Sequence, residues 1–367
     1  MHPLTPEAAS LLKEMISIPS HSFEEEDVCK HICEYLERCG IEVQRTGNNI
    51  ICYNKNFSKA KKTLMFNAHI DTVPPCNGYT FDPYRPQYNM SRSHCYNENE
   101  VIYGLGSNDD GGSVVSMITA FRHFYNRDMH INLMLVLTAE EERSGKGGME
   151  LVWKNLPQKP DWAIIGEPTG MEAATSERGL LVIDAKAEGV SGHAARNEGT
   201  NALYIATDDI SVLRKHKFSR TSEIMGDVNM NVTQIHAGSS HNIIPDICTF
   251  TIDIRPTEKY DNAELLTELQ SLCHSRLTAR NLKNRSSATP KNSLLLKCIK
   301  ALDIHEYSSP TTSDWMRTDC EAIKIGPGDS SRSHRKDEFI FAYEIDKAIG
   351  IYIELTEKLA MMAKTTE

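Results

Sequence analysis

Several things are missing from this 367-residue sequence, and each absence excludes something. No run of 18 apolar residues occurs, so no stretch reads as a membrane-spanning helix. The opening residues, MHPLTPEAASLLKEM, carry neither a basic leader nor an apolar signal core, and the expectation is a cytoplasmic protein. Clusters of Lys and Arg are absent too. With 40 basic against 50 acidic residues, a net charge of −10 and a pI near 5.8, the chain lacks the basic face a nucleic-acid partner needs. Lys59, Lys61 and Lys62 read as a solvated turn. The ten cysteines sit at irregular spacings without a CxxC pair. Cys29 and Cys33 lie one helical turn apart, too distant for an easy disulfide. That usage fits a reduced compartment in which thiols serve as small core or surface residues.

What is present points to two domains, since a chain of this length exceeds the size at which a single core stops growing. Thr5 and Pro6 open a helix carrying Leu12, Met15 and Ile16; a second runs from about Glu24 to Cys39 and stops at Gly40. Short apolar runs of strand length come next, at Leu64–Phe66, Ile131–Leu137, Trp162–Ile165 and Ala322–Ile325. Between them GGSVVSMITAFRHFY has helical period, and a last helix carries Ile345, Ile349, Tyr352 and Leu355. Strands alternating with helices predict an α/β sheet covered on both faces. The middle third differs. RGLLVIDAKAEG, MNVTQIHAG and DICTFTIDIRP alternate as half-exposed strands, with one helix through Ala202, Ala206, Ile210 and Leu213 and another opened by Asp261 and Glu264 as a capping box. This α+β unit, β–α–β–β–α in order, is expected at 175–285, inserted into an α/β domain made of residues 1–174 and 286–367. Cys76–Glu100 is the longest loop candidate.

The informative pattern lies at the strand ends. TLMF leads to His69 and Asp71, INLMLVLTA to Glu140, Glu141 and Glu142, DWAIIG to Glu167, and EAIKIGPG after a short loop to His334. GLGSNDDGG places Asp109 just before a helix; its two Asp oppose a phosphate and the Walker Lys is missing. Ligands of open α/β sheets bind outside the carboxyl ends of the strands. These five loops therefore gather His69, Asp109, Glu142, Glu167 and His334 around one cleft. Two imidazoles and three carboxylates, one of them shared, suit two Zn²⁺ ions. Asp71, two positions beyond His69, would orient that imidazole rather than bind metal. Ligand type alone leaves Co²⁺ or Mn²⁺ open as substitutes.

Taken in order, AHIDTVP, GLGSNDDGG, TAEEE, IGEPT, GVSGHAARNEGTNA, HNIIPDICTFTIDIR and GPGDSSRSHRKDEF resemble the M20 metallopeptidases and deacylases, in the branch of acetylornithine deacetylase and succinyl-diaminopimelate desuccinylase. The resemblance runs over nearly the whole chain. It implies a mixed-sheet catalytic domain flanked by helices, with the inserted unit as a ferredoxin-like lid that also makes a homodimer contact. It implies that His69 and Glu167 hold one zinc, Glu142 and His334 the other, and that Asp109 bridges them. Glu141 takes the place of the general base, which deprotonates the attacking water and passes the proton to the leaving amine. His193 matches the lid histidine that steadies the tetrahedral oxyanion. Asn242 and Arg255 match lid residues that hold substrate, and Gly326 lends backbone near it.

The sequence departs from that pattern at Asp110 and Gly111, where an apolar residue and a Lys are usual, at Arg143, often Gly, and at Arg332 in DSSRS. Asp110 is expected to add negative charge beside the metals. Arg332, with Arg255, could receive a second substrate carboxylate. The activity implied is deacylation of an N-acyl amino acid in arginine biosynthesis: N-acetylornithine, N-acetylcitrulline or an N-succinyl equivalent. A dipeptidase or carboxypeptidase is the alternative, because one amide hydrolysis serves interchangeable pockets.

Overall fold

The computed structural model describes residues 2–88, 100–196 and 198–364. The chain divides into two compact units, one of Met1–Thr175, Thr289–Tyr307 and Ser313–Glu367, the other of Ser176–Ala288 and Ser308–Thr312.

Apolar runs at Thr63–His69 and Asn132–Thr138 are buried at every position. Such strands need cover on both faces, as parallel strands between helices have. In the first unit they lie side by side in a sheet whose order runs Gln44–Thr46, Asn49–Tyr53, Asn132–Thr138, Thr63–His69, Trp162–Ile165 and Glu321–Lys324. The last four are mutually parallel, and the first two join antiparallel at one edge. Register sets where these strands stop: His69 lies opposite Thr138, and Ile165 lies opposite both Asn67 and Lys324. All four parallel strands therefore end on the same edge.

The larger face carries Phe66, Leu135 and Ile164 against helices Thr5–Ile16, Gly112–Phe124 and Ala342–Lys364, through Leu12, Phe121 and Tyr352. The smaller face packs Met65, Val136 and Ile165 with Met149, Val152 and Trp315. Part of the expected Cys76–Glu100 loop, residues 89–99, lies outside the described residues. At its two ends Gln87–Tyr88 and Val101–Tyr103 pair, and Phe339–Phe341 adds a third strand. Every cysteine among the described residues is free, and Cys29 and Cys33 are core residues.

The second unit is a four-stranded antiparallel sheet in the order Asn229–Ala237, Ile247–Arg255, Leu181–Glu188 and Arg276–Ala279. Leu181, Ile183, Ala185 and Ala187 alternate inward, packing with Ala206 and Leu213 of helix Ala202–Lys215 and with Leu265 and Leu269 of helix Asn262–Leu272. The strand Arg276–Ala279 is absent from the sequence-based order. It offers one buried apolar side chain, Leu277, too little to carry a period. With it the unit is β–α–β–β–α–β.

The expected capping box is present: Asp261 accepts from the Ala263 amide at 2.7 Å, and its own amide donates to Glu264 at 3.0 Å. Asp261→Ala should cost about 1 kcal/mol, whereas Phe121→Ala, which opens a cavity in the first unit, should cost about 3–5 kcal/mol. Urea unfolding of the two variants would measure the difference; equal losses would contradict it.

Candidate metal centre

Loops leaving the shared strand edge bring six predicted side chains together. His69 is buried at the end of its strand; its Nε2 faces Asp109 Oδ1 at 3.1 Å, and its Nδ1 donates to the Asp71 carbonyl at 2.9 Å. His334 Nε2 lies 2.9 Å from Glu142 Oε1 and 3.7 Å from Asp109 Oδ2. Donor atoms of His69, Glu141 and Glu167 all lie within 4.8 Å of one another, as do those of His69, Asp109 and Glu142. His69 thus belongs to both groups, and Glu141 stands among the donors of one.

The electrostatics of this cluster are those of too many carboxylates in too little water. Burial, then the neighbouring Glu167, raises Glu141 well above the ordinary carboxylate range. Burial, then Asp109, does the same to Glu167, and burial also raises Glu142 against the pull of His334. Burial would push Asp109 up as well, but His69 and His334 bring it below its usual value. His334 rises to about 9, chiefly through its hydrogen bond to Glu142. For His69, burial is outweighed by Asp109 and Asp71, which raise it well above the usual imidazole range. A donor set of imidazole nitrogens and mutually repelling carboxylate oxygens fits a divalent cation, whose charge reverses that repulsion.

Asp71 has a different task from the one expected. The carbonyl oxygen makes the orienting contact to His69, while the carboxylate, fully buried, accepts the amides of Glu141 at 3.0 Å and Glu142 at 3.1 Å and the Ser22 hydroxyl at 2.7 Å. The Glu141–Arg143 turn is flanked by Glu140 and Ser144 in left-handed conformations, at φ 58° and 47°, so it needs such an anchor. Arg143 is exposed on that turn.

Asp110 corrects the expectation of added charge. It is buried, neither carboxylate oxygen has a hydrogen-bond partner, and burial pushes it up to about 8, so at neutral pH it is mostly protonated. Gly326 is required by packing: a Cβ there would come within 2.4 Å of Ser113 Oγ and 2.5 Å of the Glu167 carbonyl. Its own amide and carbonyl are engaged by Thr169 and Met171. Arg332 is not a free cation. Its guanidinium pairs with Glu344 at 2.7 Å and sits over the Phe339 and Phe341 rings at 4.6 and 5.2 Å, holding the segment before His334.

In the second unit, Gly192–His193 pairs with Ile243–Ile244, and the Ala194 amide donates to the Asn242 carbonyl at 3.0 Å, so exposed His193 and Asn242 share one small ribbon. Arg255 ends a strand with both guanidinium arms on Asp253, at 2.9 and 3.2 Å.

Sequence reasoning missed three buried carboxylates around the centre. Glu25 accepts the amides of Phe23 and Glu140. Asp314 accepts from Thr138, which also receives Asn67 at 3.0 Å; burial, partly offset by Thr138, carries Asp314 up to about 6. Glu338 accepts amides beside Asp109, and burial, then Asp109, carries it up to about 8. The signal for Asp314 was there: Asn67 and Thr138 are polar residues inside otherwise apolar strands.

Residues 175–280 match the peptidase dimerisation domain of the M20 type, and residues 49–214 match peptidase family M28. The succinyl-diaminopimelate desuccinylase of Stenotrophomonas maltophilia is 27% identical over 323 residues, 81% of this chain and 84% of that one. The acetylornithine deacetylase of Proteus mirabilis is 26% identical and covered, like this chain, to 98%. This chain belongs to the M20 peptidases and deacylases. An M20 metallo-carboxypeptidase from Sulfolobus solfataricus shares the fold, with a TM-score of 0.74 at 18% identity over 97% of this chain and 99% of that one. As an M20 hydrolase the chain has a candidate dinuclear centre on its strand edge.

Asp71→Asn retains the shape but only one accepting oxygen, leaving a buried amide or hydroxyl unpaired. The metal-free variant should lose about 1–3 kcal/mol, read by chemical denaturation; wild-type stability would remove Asp71 as the anchor of the Glu141–Arg143 turn.

Proposed function

We propose that this M20 hydrolase removes the acyl group from an N-acyl amino acid, using Glu141 as general base at a centre of two divalent ions, zinc first among them. The observation that carries the proposal is the position of Glu141: it shares a 4.8 Å group with His69 and Glu167 yet hangs from the same Asp71-anchored turn as Glu142. His69, Glu167, Glu142 and His334 would hold the ions, with Asp109 between. Bound there, a divalent cation would act as a Lewis acid on the amide carbonyl. Glu141, raised by burial and by Glu167, accepts a proton from the attacking water and delivers it to the departing amine. Asp71 keeps the base and the adjacent donor in register. His193 and Asn242 supply polar groups for the oxyanion and the substrate, and Arg255 can offer its guanidinium to a carboxylate once it leaves Asp253.

The desuccinylase and deacetylase relatives favour substrates that are amides of a small acid with an amino acid. N-acetylornithine, N-acetylcitrulline and their N-succinyl counterparts, intermediates of arginine formation, come first. The M20-type domain at 175–280 supports a homodimer formed through that unit, in the cytoplasm.

Hydrolysis of those four amides and of a dipeptide panel, with metal-stripped and Zn²⁺-reloaded protein, tests the assignment. A zinc-dependent rate on one of the four, reduced about 10²–10⁴-fold in Glu141→Ala, is expected. Turnover of dipeptides alone would overturn the acyl assignment, and an unaffected Glu141→Ala would overturn the base.

The pH dependence has a definite sign. His334 and the raised carboxylates hold protons more tightly folded than unfolded, so their stabilisation is present at low pH and fades as pH rises. For His334 the window runs from about 6.5, the ordinary imidazole value, to about 9. The metal-free protein should therefore lose thermal stability across this window. Zn²⁺ affinity should rise over the same range, with proton release on binding. Thermal melts and calorimetry in two buffers would check both; stability of the metal-free protein that rises with pH would contradict the assignment.

A further inference from the structure

Asp109 and His334 come from opposite ends of the first unit's sequence, yet their side chains lie 3.7 Å apart. Neither sits on a regular element that would fix it. Asp109 ends the GLGSND turn, and His334 comes after a short helical turn at Ser330–Arg332 with φ 57°. Something else must set their separation.

Glu338 is 2% exposed. Its Oε1 accepts the backbone amides of Asn108 and Asp109, each at 2.9 Å, and its Oε2 accepts that of Gly106 at 3.1 Å. Three donors converge on one carboxylate, which fixes the turn that presents Asp109. The main chain of Glu338 also accepts the Gly104 amide at 2.9 Å and continues into strand Phe339–Phe341, so the carboxylate stands on a rigid base.

Asn108 completes the link from the other side. Its Oδ1 accepts the Asp329 amide at 2.9 Å, and its Nδ2 donates to the Asp329 carbonyl at 3.1 Å and to Ser333 Oγ at 3.2 Å. Both polar ends of one side chain are thus engaged by the segment immediately before His334. The approach is close enough that a Cβ at Gly328 would stand 2.3 Å from Asn108 Oδ1.

We propose that Glu338 and Asn108 are positioning residues that brace the Asp109 turn against the His334 segment and thereby set the affinity of the cation position those two residues share. The proposal rests on the metal-centre assignment above. Glu338 and Asn108 are not ligands: each acts through the backbone that carries one.

The test is titration of metal-stripped protein with Zn²⁺ by calorimetry, and with Co²⁺ by visible absorption, which reports coordination geometry. Wild-type protein should take up two ions. Glu338→Gln keeps the shape of the side chain but sets an amide N–H against a donor. It should retain one ion at wild-type affinity and bind the other about 10–100-fold more weakly, as outer-shell changes do, with an altered Co²⁺ spectrum. Asn108→Ala should do the same, and the double variant should be no worse than Glu338→Gln, because both cut one link. A merely structural role would lower unfolding stability but leave the second ion's affinity and spectrum unchanged, and that result in either variant overturns the brace. Should Glu338→Gln fail to fold, Asn108→Ala decides alone. Wild-type protein that binds no divalent ion would overturn the metal assignment and the brace with it, an outcome distinct from wild-type binding with unaffected variants.

Discussion

Backbone amides donated to buried carboxylates hold this centre in shape. Glu25, Asp71 and Glu338 are each almost fully buried, and each accepts at least two amide hydrogens from irregular backbone near the ligands. The need is mutual. A loop that leaves a sheet edge carries N–H groups that must find acceptors, and a carboxylate taken out of water must find donors. Satisfying one with the other gives turns containing left-handed Glu140 and Ser144 a single conformation, without helix or sheet to impose it. The ligands Asp109 and Glu142 then need no freedom of their own.

That arrangement has an electrostatic limit. Glu141, Glu142 and Glu167 are all raised by burial and by neighbouring carboxylates, so without a cation the cluster favours protonated carboxyls. Perturbation of this kind belongs to sites where function outranks stability. Asp110 fits the same logic. A buried acid with no partner is kept neutral by its surroundings and so does not compete with the neighbouring Asp109 for cation charge.

The strand ends and the order of elements were legible in the sequence because parallel strands must be apolar throughout, which makes a terminal His or Glu conspicuous. Continuous runs gave Thr63–His69 and Asn132–Thr138, and alternation gave the three longer strands of the second unit. Arg276–Ala279 escaped because four residues with one buried side chain hold no period. The anchoring carboxylates escaped for a different reason. Glu338 is one charge in HRKDEF, and only the fold brings the Gly106–Asp109 amides to it. Arg332 failed in the opposite sense: a lone Arg near a predicted cleft looks available until Glu344, on the next helix, is seen to hold it. Sequence spacing reveals which residues share an edge but not which pairs satisfy each other.

The second unit interrupts the first between Thr175 and Thr289, and this has a consequence for biosynthesis. Glu167 emerges from the ribosome before the interruption, whereas His334 and Glu338 emerge after it. At about 5–20 residues per second, the early ligands wait roughly ten to thirty seconds for the late ones. During that interval the nascent chain holds His69, Asp109, Glu141, Glu142 and Glu167 with no brace for the Asp109 turn. All four strands and both helices of the second unit, by contrast, lie in one uninterrupted stretch and are complete well before the chain ends. The order of synthesis therefore makes the inserted unit the first to fold and the metal centre the last thing to close.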